Sequence, residues 1–122
     1  MTQPDSDWLA EAPYPSDVRA SLFGGKGSVE VWDLLARRPF PPFSAALACE
    51  LEPGGSVGPH VQQRDPELIL CAQGSGEIEV NGGARPFPAG EMAMLPHGCT
   101  LAIRNLSESA PLRYFIIKGR TG

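Results

Sequence analysis

Three side chains capable of metal binding or proton transfer lie close together in the sequence: His60, Gln62 and Glu67. An imidazole, an amide and a carboxylate can share a divalent cation, and an imidazole with a carboxylate can move a proton. Because side chains alternate along a strand, we expect His60 and Gln62 on one face, with Glu67 brought alongside them by the next strand. The spacing therefore predicts a site where three donors converge.

Glycines and prolines surround these residues in two ordered motifs. The first reads G-x5-H-x-Q-x4-E-x6-G from Gly54 to Gly74, and the second reads G-x5-P-x-G and then P-x-G-x6-N from Gly82 to Asn105. Together the motifs resemble the paired motifs of the cupin superfamily and span residues 54–105. The resemblance implies an all-β fold, an antiparallel jelly-roll β-barrel with a ligand cavity between its two sheets.

The resemblance also implies a metal site. Metal-binding cupins take two histidines and a glutamate from the first motif and a third histidine from the second. By that resemblance His60 and Glu67 stand at ligand positions, Gln62 replaces the second histidine, and Leu101 replaces the third. The implied set is His60, Gln62 and Glu67 around one divalent ion (Fe, Mn, Ni or Zn), open to a small organic substrate. Leu101 leaves this set incomplete, so a barrel without metal is the alternative.

Without a metal, the same residues predict a different kind of site. Desolvation in a partly dry cavity favours protonation of Glu67, and His60 is the neighbour able to hold it ionised. This catalytic pair, His60 and Glu67, suits proton transfer on a bound carbonyl compound, as in metal-free cupin isomerases and cyclases. A ligand-sensing barrel and a degenerate, non-catalytic barrel remain as further alternatives, so the sequence leaves enzymatic activity open.

The elements that must position these residues are short strands separated by turns. Glycine and proline supply 14 and 13 of the 122 residues, which is typical of many strands meeting at tight turns. The pair Asn81-Gly82 indicates a hairpin. Residues 18–23 and 32–38 come nearest to a helical pattern, but both segments are short. Strands are predicted at 28–35, 44–51, 67–72, 77–80, 91–95, 100–104 and 112–118. Residues 28–122 are therefore expected to form one barrel.

Residues 1–27 are expected to form an N-terminal arm. Its first seventeen residues are acidic, contain no Lys or Arg, and carry Trp8 and Tyr14. Exposed aromatic rings are costly in water, and a small barrel must cover its strand edges. We therefore expect the arm to pack at the interface of a homodimer.

Charge and cysteine content restrict the partners. The net charge is -4, and residues 18–122 hold ten acidic and ten basic side chains, which offers no basic stripe for nucleic acid and no membrane-binding helix. A small-molecule ligand is the expected partner.

The N-terminus shows no secretory signal, so a cytoplasmic location is expected. Cys49, Cys71 and Cys99 are odd in number and form no Cys-x-x-Cys pair, which predicts buried free thiols.

Overall fold

A computed structural model describes residues 8–9, 11–61 and 65–120, which form two antiparallel sheets around one core. The larger sheet has the strand order β1-β2-β3-β10-β5-β8, and the smaller has β4-β9-β6-β7. A 3-10 turn at Leu22–Gly24 joins β1 to β2. The strands are β1 (Ser16–Ala20), β2 (Ser28–Asp33), β3 (Phe43–Leu51), β4 (Ser56–Val61), β5 (Glu67–Gln73), β6 (Ser75–Val80), β7 (Gly83–Pro88), β8 (Met92–Leu95), β9 (Thr100–Asn105) and β10 (Leu112–Gly119). The predicted all-β, antiparallel fold is confirmed.

All seven predicted strands are present, with ends that differ by at most two residues. The two segments nearest to a helical pattern instead contain the last residues of β1 and β2 and parts of the turns that follow them, including the start of the 3-10 turn at Leu22–Gly24. β1 lies inside the predicted arm and pairs with β2 from Ser16↔Trp32 to Ala20↔Ser28. Part of residues 1–27 is thus an edge strand of the larger sheet. The sequence pattern missed β1 because all five of its residues are exposed and show no apolar alternation.

β10 lies between β3 and β5 in the larger sheet and carries side chains to both faces. Tyr114, on the inner face, is buried and lies opposite Cys49 of β3. Lys118 has the same parity and pairs in register with Glu67 of β5. Alternation along this one strand therefore places an aromatic and a cationic side chain on the inner face. The core around them contains Val29, Val31, Leu51, Val57, Ile69, Ile78, Phe87, Leu95, Leu101, Ile103 and Leu112.

The outer face of the larger sheet is covered in part by the N-terminal segment. The Trp8 ring packs edge-on against Trp32 and Phe115, with centroid distances of 5.6 and 5.7 Å. It also lies under the Arg113 guanidinium, which is buried and donates to Glu50 at 2.7 Å. Trp8 therefore packs on its own barrel.

Further along this outer face, Leu68, Leu70, Met92 and Met94 are exposed. These side chains alternate with buried residues of β5 and β8, so they form an apolar face directed away from the barrel interior. The predicted homodimer and the role of the arm in it stay predictions.

Two other sequence predictions are confirmed by local geometry. Asn81 and Gly82 have φ values of 51° and 83°, the left-handed region that a two-residue type I′ turn requires between β6 and β7. Cys49, Cys71 and Cys99 are buried free thiols. Within the described parts of the chain, no helix is both long and apolar enough to span a bilayer.

Asn105 joins the end of β9 to two other segments. Its Nδ2 donates to the carbonyl oxygens of Leu51, Glu52 and Ala110 at 3.2, 3.1 and 2.8 Å. Its Oδ1 accepts from the backbone N–H of Ser107 at 3.0 Å. The side chain is buried, so these backbone groups would lose their partner in a shorter residue.

We predict that Asn105→Ala lowers the free energy of unfolding by about 2–4 kcal/mol, because buried carbonyl and N–H groups are left without partners. Asn81→Gly is the control: it removes the hydrogen bond that Oδ1 accepts from Thr100 N–H in an exposed turn but keeps the positive φ without strain, so a loss of about 1 kcal/mol is expected. Urea unfolding followed by circular dichroism measures both. Equal losses would show that Asn105 is no more important than an ordinary turn residue.

Candidate functional site

A cavity of about 610 Å³ lies inside the barrel, with walls from both sheets. Its walls contain both charged and apolar side chains, so a ligand bound there would meet polar groups in a partly dry space. The residues that decide its chemistry are Arg19, Phe23, Cys49, His60, Asp65, Glu67, Leu101, Tyr114 and Lys118. The cavity thus contains two of the three predicted site residues, and Gln62 lies outside the described residues.

A β-bulge in β4 turns His60 toward the cavity. Val57 pairs with Ile103 and His60 pairs with Leu101, so β4 uses one more residue than β9 between these pairs. The extra residue changes the alternation of β4, and Val57 and His60 both line the cavity. Gly58 lies in the bulge, where a Cβ atom would collide with the Phe23 carbonyl oxygen. The close approach of the Leu22–Gly24 turn therefore requires glycine at this position.

Two contacts fix the orientation of the His60 ring. Its Nδ1 lies 3.0 Å from the Gly58 carbonyl oxygen, which only accepts hydrogen bonds, so Nδ1 is the donor of this contact. The Phe23 ring stacks on the imidazole at 4.0 Å between centroids with an interplanar angle of 12°. The structure therefore holds the imidazole in a defined orientation on the cavity wall.

Glu67 lies in the larger sheet, whereas His60 lies in the smaller one. The next strand, β5, brings Glu67 to the cavity that His60 lines, but it does so from the other sheet rather than as a hydrogen-bonded neighbour of β4. Glu67 is 4% exposed, and its Oε2 lies 3.7 Å from Lys118 Nζ. Burial raises the pKa of Glu67, and the Lys118 ammonium opposes this shift.

The described donors do not fit a tightly bound divalent cation. Leu101 lies directly opposite His60 in the β4–β9 pair and is 1% exposed, so an apolar side chain occupies the position implied for the third histidine. The Lys118 ammonium beside Glu67 would repel a cation bound there. Among the described residues, no group of three His, Cys, Asp or Glu side chains is arranged to hold a metal ion. The set of His60, Gln62 and Glu67 stays a prediction.

Two cationic residues line the cavity that were not predicted from the sequence, Lys118 and Arg19. Lys118 stands near the end of the apolar strand β10 with the parity of Tyr114 and Ile116, and this pattern could have revealed an inward cation. Arg19 stands on β1, whose exposed residues gave no signal for a strand. Both side chains remain partly accessible, at 37% and 49% exposure, so they lie where a ligand can reach them.

Tyr114 and Cys49 form a protonated pair inside the cavity. Burial raises the pKa of the Cys49 thiol to about 12, despite the hydrogen bond from Tyr114, and burial also raises the pKa of Tyr114 well above its usual value. A neutral thiol is a weak nucleophile. These two side chains therefore shape the cavity wall and supply hydroxyl and thiol groups rather than charge.

Comparisons with known proteins agree with this architecture. The family model for the cupin domain matches residues 47–118, which include His60, Glu67 and Lys118, and the chain therefore belongs to the cupin family. An oxalate-binding protein of Thermotoga maritima is 31% identical over 87 residues, which cover 70% of this chain and 72% of that protein.

Solved structures show the same fold. The crystal structure of a predicted oxalate decarboxylase from Thermotoga maritima is similar with a TM-score of 0.83 at 24% identity, covering 90% of this chain and 96% of that one. The structure of KdgF from Halomonas sp. has a TM-score of 0.68 at 20% identity, with 92% of each chain covered. The predicted jelly-roll cupin barrel is confirmed.

We predict that Glu67→Gln raises the melting temperature at pH 8 by about 2–5 °C. Because the pKa of Glu67 is raised in the folded state, its carboxylate opposes folding above that pKa. As the pH falls through the folded-state pKa toward the ordinary value of 4.5, the wild type becomes protonated and the difference should disappear. Thermal unfolding between pH 8 and pH 4.5 measures this trend.

Glu77→Gln is the matched control, because Glu77 is paired with Arg104 at 2.8 Å on the surface, where a single ion pair contributes little. Its melting temperature should stay close to the wild-type value across the same range. A Glu67→Gln variant less stable than the wild type at pH 8 would show that the ion pair with Lys118 outweighs the cost of burying the carboxylate.

Proposed function

We propose that this cupin barrel binds a small organic anion bearing a carboxylate in its interior cavity, without requiring a metal. The observation that carries the proposal is the pair of cationic side chains, Lys118 and Arg19, on the wall of that cavity. Cations on the wall of a partly dry cavity attract a carboxylate more strongly than they would in open water. The relationship to an oxalate-binding protein supports the same class of ligand.

Lys118 would make the primary contact. A lysine ammonium has three donors, and Lys118 Nζ lies 3.7 Å from Glu67 Oε2, so its remaining hydrogens can be directed to a ligand. Arg19 can add a planar guanidinium from β1, although it also pairs with Asp17 at 3.0 Å. The ligand would therefore be held between the β10 and β1 sides of the cavity.

Glu67 would adapt to the ligand by taking up a proton. Its pKa is already raised by burial, and a bound carboxylate nearby would raise it further through like-charge repulsion. The protonated carboxyl group is then a hydrogen-bond donor rather than a second negative charge. Glu67 and the ligand can thus share one proton and both contact Lys118.

His60 would supply the second proton site. Because Nδ1 faces the Gly58 carbonyl, a ligand hydroxyl or an acidic C–H group would meet the ring at Nε2. With Glu67 able to donate and His60 able to accept, the cavity supports proton transfer on a bound carbonyl compound. Catalysis of an isomerisation is the enzymatic form of this proposal, and reversible binding or ligand sensing is the other form.

We predict that Lys118→Gln weakens binding of oxalate, used as the probe, by at least about tenfold, because a charge-assisted hydrogen bond is lost in the cavity. Lys26→Gln is the matched control. Lys26 is the other lysine of the chain, is exposed and does not line the cavity, so its removal should change the affinity by less than about twofold. Isothermal titration calorimetry at fixed ionic strength measures all three proteins.

Two results would overturn the anion-binding proposal. One is the absence of measurable heat with oxalate and with longer dicarboxylates at millimolar concentration. The other is equal binding by the wild type and Lys118→Gln, which would place the anion outside the barrel.

The predicted metal set of His60, Gln62 and Glu67 has its own test. With Leu101 opposite His60 and Lys118 beside Glu67, we expect well under one equivalent of Fe, Mn, Ni or Zn in protein purified without chelator. Elemental mass spectrometry measures this, with His60→Ala prepared in parallel. Near-stoichiometric metal in the wild type that is lost in His60→Ala would overturn the metal-free proposal and establish the predicted ligand set.

A further inference from the structure

A second cleft of about 600 Å³ adjoins the barrel cavity. It lies between β1, the neighbouring ends of β2 and β3, and the segment that joins these two strands. We call it the arginine cleft, after the side chains that define it: Arg19, Arg37, Arg38 and Arg120. Phe40 and Phe43 also line it.

The arginine cleft is positively charged, although the whole chain carries a net charge of -4. Its described lining contains four arginines and two aspartates. Asp17 pairs with Arg19, one of the four arginines, at 3.0 Å, and Asp33 accepts from the backbone N–H groups of Leu35 and Arg37 at 3.0 and 2.9 Å. No ion pair with an aspartate of the lining is seen for Arg37, Arg38 or Arg120 among the described residues, so these three supply the positive charge of the cleft. A cluster of guanidinium groups in an acidic protein suits an oxyanion, which such groups can bind in a bidentate way.

The backbone that presents these arginines is strained. Ala36 and Arg37 have φ values of 51° and 63°, which place two successive non-glycine residues in the left-handed region. Glycine would adopt this conformation without strain, yet the turn carries alanine and arginine. The two hydrogen bonds to the Asp33 carboxylate hold the turn in place. Strain retained in this way is typical of a segment whose side chains have a binding role.

An apolar surface lies beside the arginines. Phe40 and Phe43 stack at 5.8 Å between ring centroids with an interplanar angle of 20°, and they are 61% and 41% exposed. These rings offer a contact for a hydrocarbon or planar part of a ligand. The cleft therefore combines cationic groups with an apolar wall.

The arginine cleft and the barrel cavity share part of their walls. Arg19, Val31 and Leu47 line both spaces. The two spaces are therefore neighbours, and a ligand that reached from Lys118 in the barrel to Arg37 and Arg120 would pass Arg19, whose side chain is 49% exposed. The smallest dicarboxylates would occupy only the barrel end of this joined space.

The geometry points to an elongated dianion as the ligand, with one carboxylate in the barrel cavity, an apolar middle against Phe40, and a second carboxylate or phosphate in the arginine cleft. This inference rests on the proposed function, because it extends the barrel site into a second anion subsite. Phe40, Arg37 and Arg120 then select for ligand length and for a charged distal end.

A series of linear dicarboxylates tests the length selection: oxalate, succinate, adipate and suberate, each titrated calorimetrically at fixed ionic strength. We expect the best longer member to bind the wild type at least about tenfold more tightly than oxalate. Arg37→Gln/Arg120→Gln should abolish this gain while leaving oxalate binding within about twofold. Arg38 is left unchanged because its Nε donates to the Leu35 carbonyl at 3.3 Å and so supports the turn.

Arg85→Gln/Arg104→Gln is the matched control, since it removes the same charge from surface pairs with Glu91 and Glu77 outside the arginine cleft. This control variant should still bind the longer dicarboxylates more tightly than oxalate. Phosphonoalkanoates of matched length show whether a distal phosphate group is preferred to a carboxylate. Circular dichroism confirms that both double variants are folded.

The outcomes separate the two proposals. Equal affinity across the series, or a gain with length that survives Arg37→Gln/Arg120→Gln, would overturn the second subsite while leaving the barrel site intact. A series in which no member binds would overturn the barrel function itself, and with it the subsite.

Discussion

The pairing of β10 with β3 on one side and β5 on the other fixes which side chains face the cavity. It places Lys118 in register with Glu67 and Tyr114 in register with Cys49, so one strand determines both the charged and the neutral groups of the cavity. A slip of one residue would turn Lys118 to the outer face and bring Ile117 inside. The ion pair of buried Arg113 with partly exposed Glu50 on the outer face resists such a slip, because a shift would take the carboxylate away from a buried guanidinium.

In the smaller sheet, the bulge in β4 determines which side chain faces the cavity. Regular alternation from Val57 would direct Pro59, rather than His60, toward the cavity. The extra residue brings His60 in, Gly58 allows the Leu22–Gly24 turn to approach, and Phe23 then stacks on the imidazole. A histidine ring that is held by a hydrogen bond at Nδ1 and by a stacked phenylalanine ring meets a ligand in one defined orientation. The two sheets thus bring an imidazole and a buried carboxyl group to one cavity.

The balance of charge within the cavity distinguishes this barrel from the metal-binding arrangement that its motifs resemble. Leu101 takes the place of a ligand, and the Lys118 ammonium stands beside the carboxyl group that a metal would use. A fixed ammonium can neutralise an anionic ligand, as a bound cation would, but it offers hydrogen-bond donors instead of coordination positions. The arginines of the adjoining cleft extend the same cationic character beyond the barrel.

Local signals in the sequence were enough to predict the class of fold and two residues of the cavity wall, His60 and Glu67. Two motifs, regularly spaced turn residues and the Asn81-Gly82 hairpin are such signals, and they can be read without knowledge of the tertiary structure. The sheet that each residue occupies, and the presence of Lys118 and Arg19 in the same cavity, could not be predicted in this way. They depend on strand register, a bulge and the pairing of β1, which arise from contacts between distant segments.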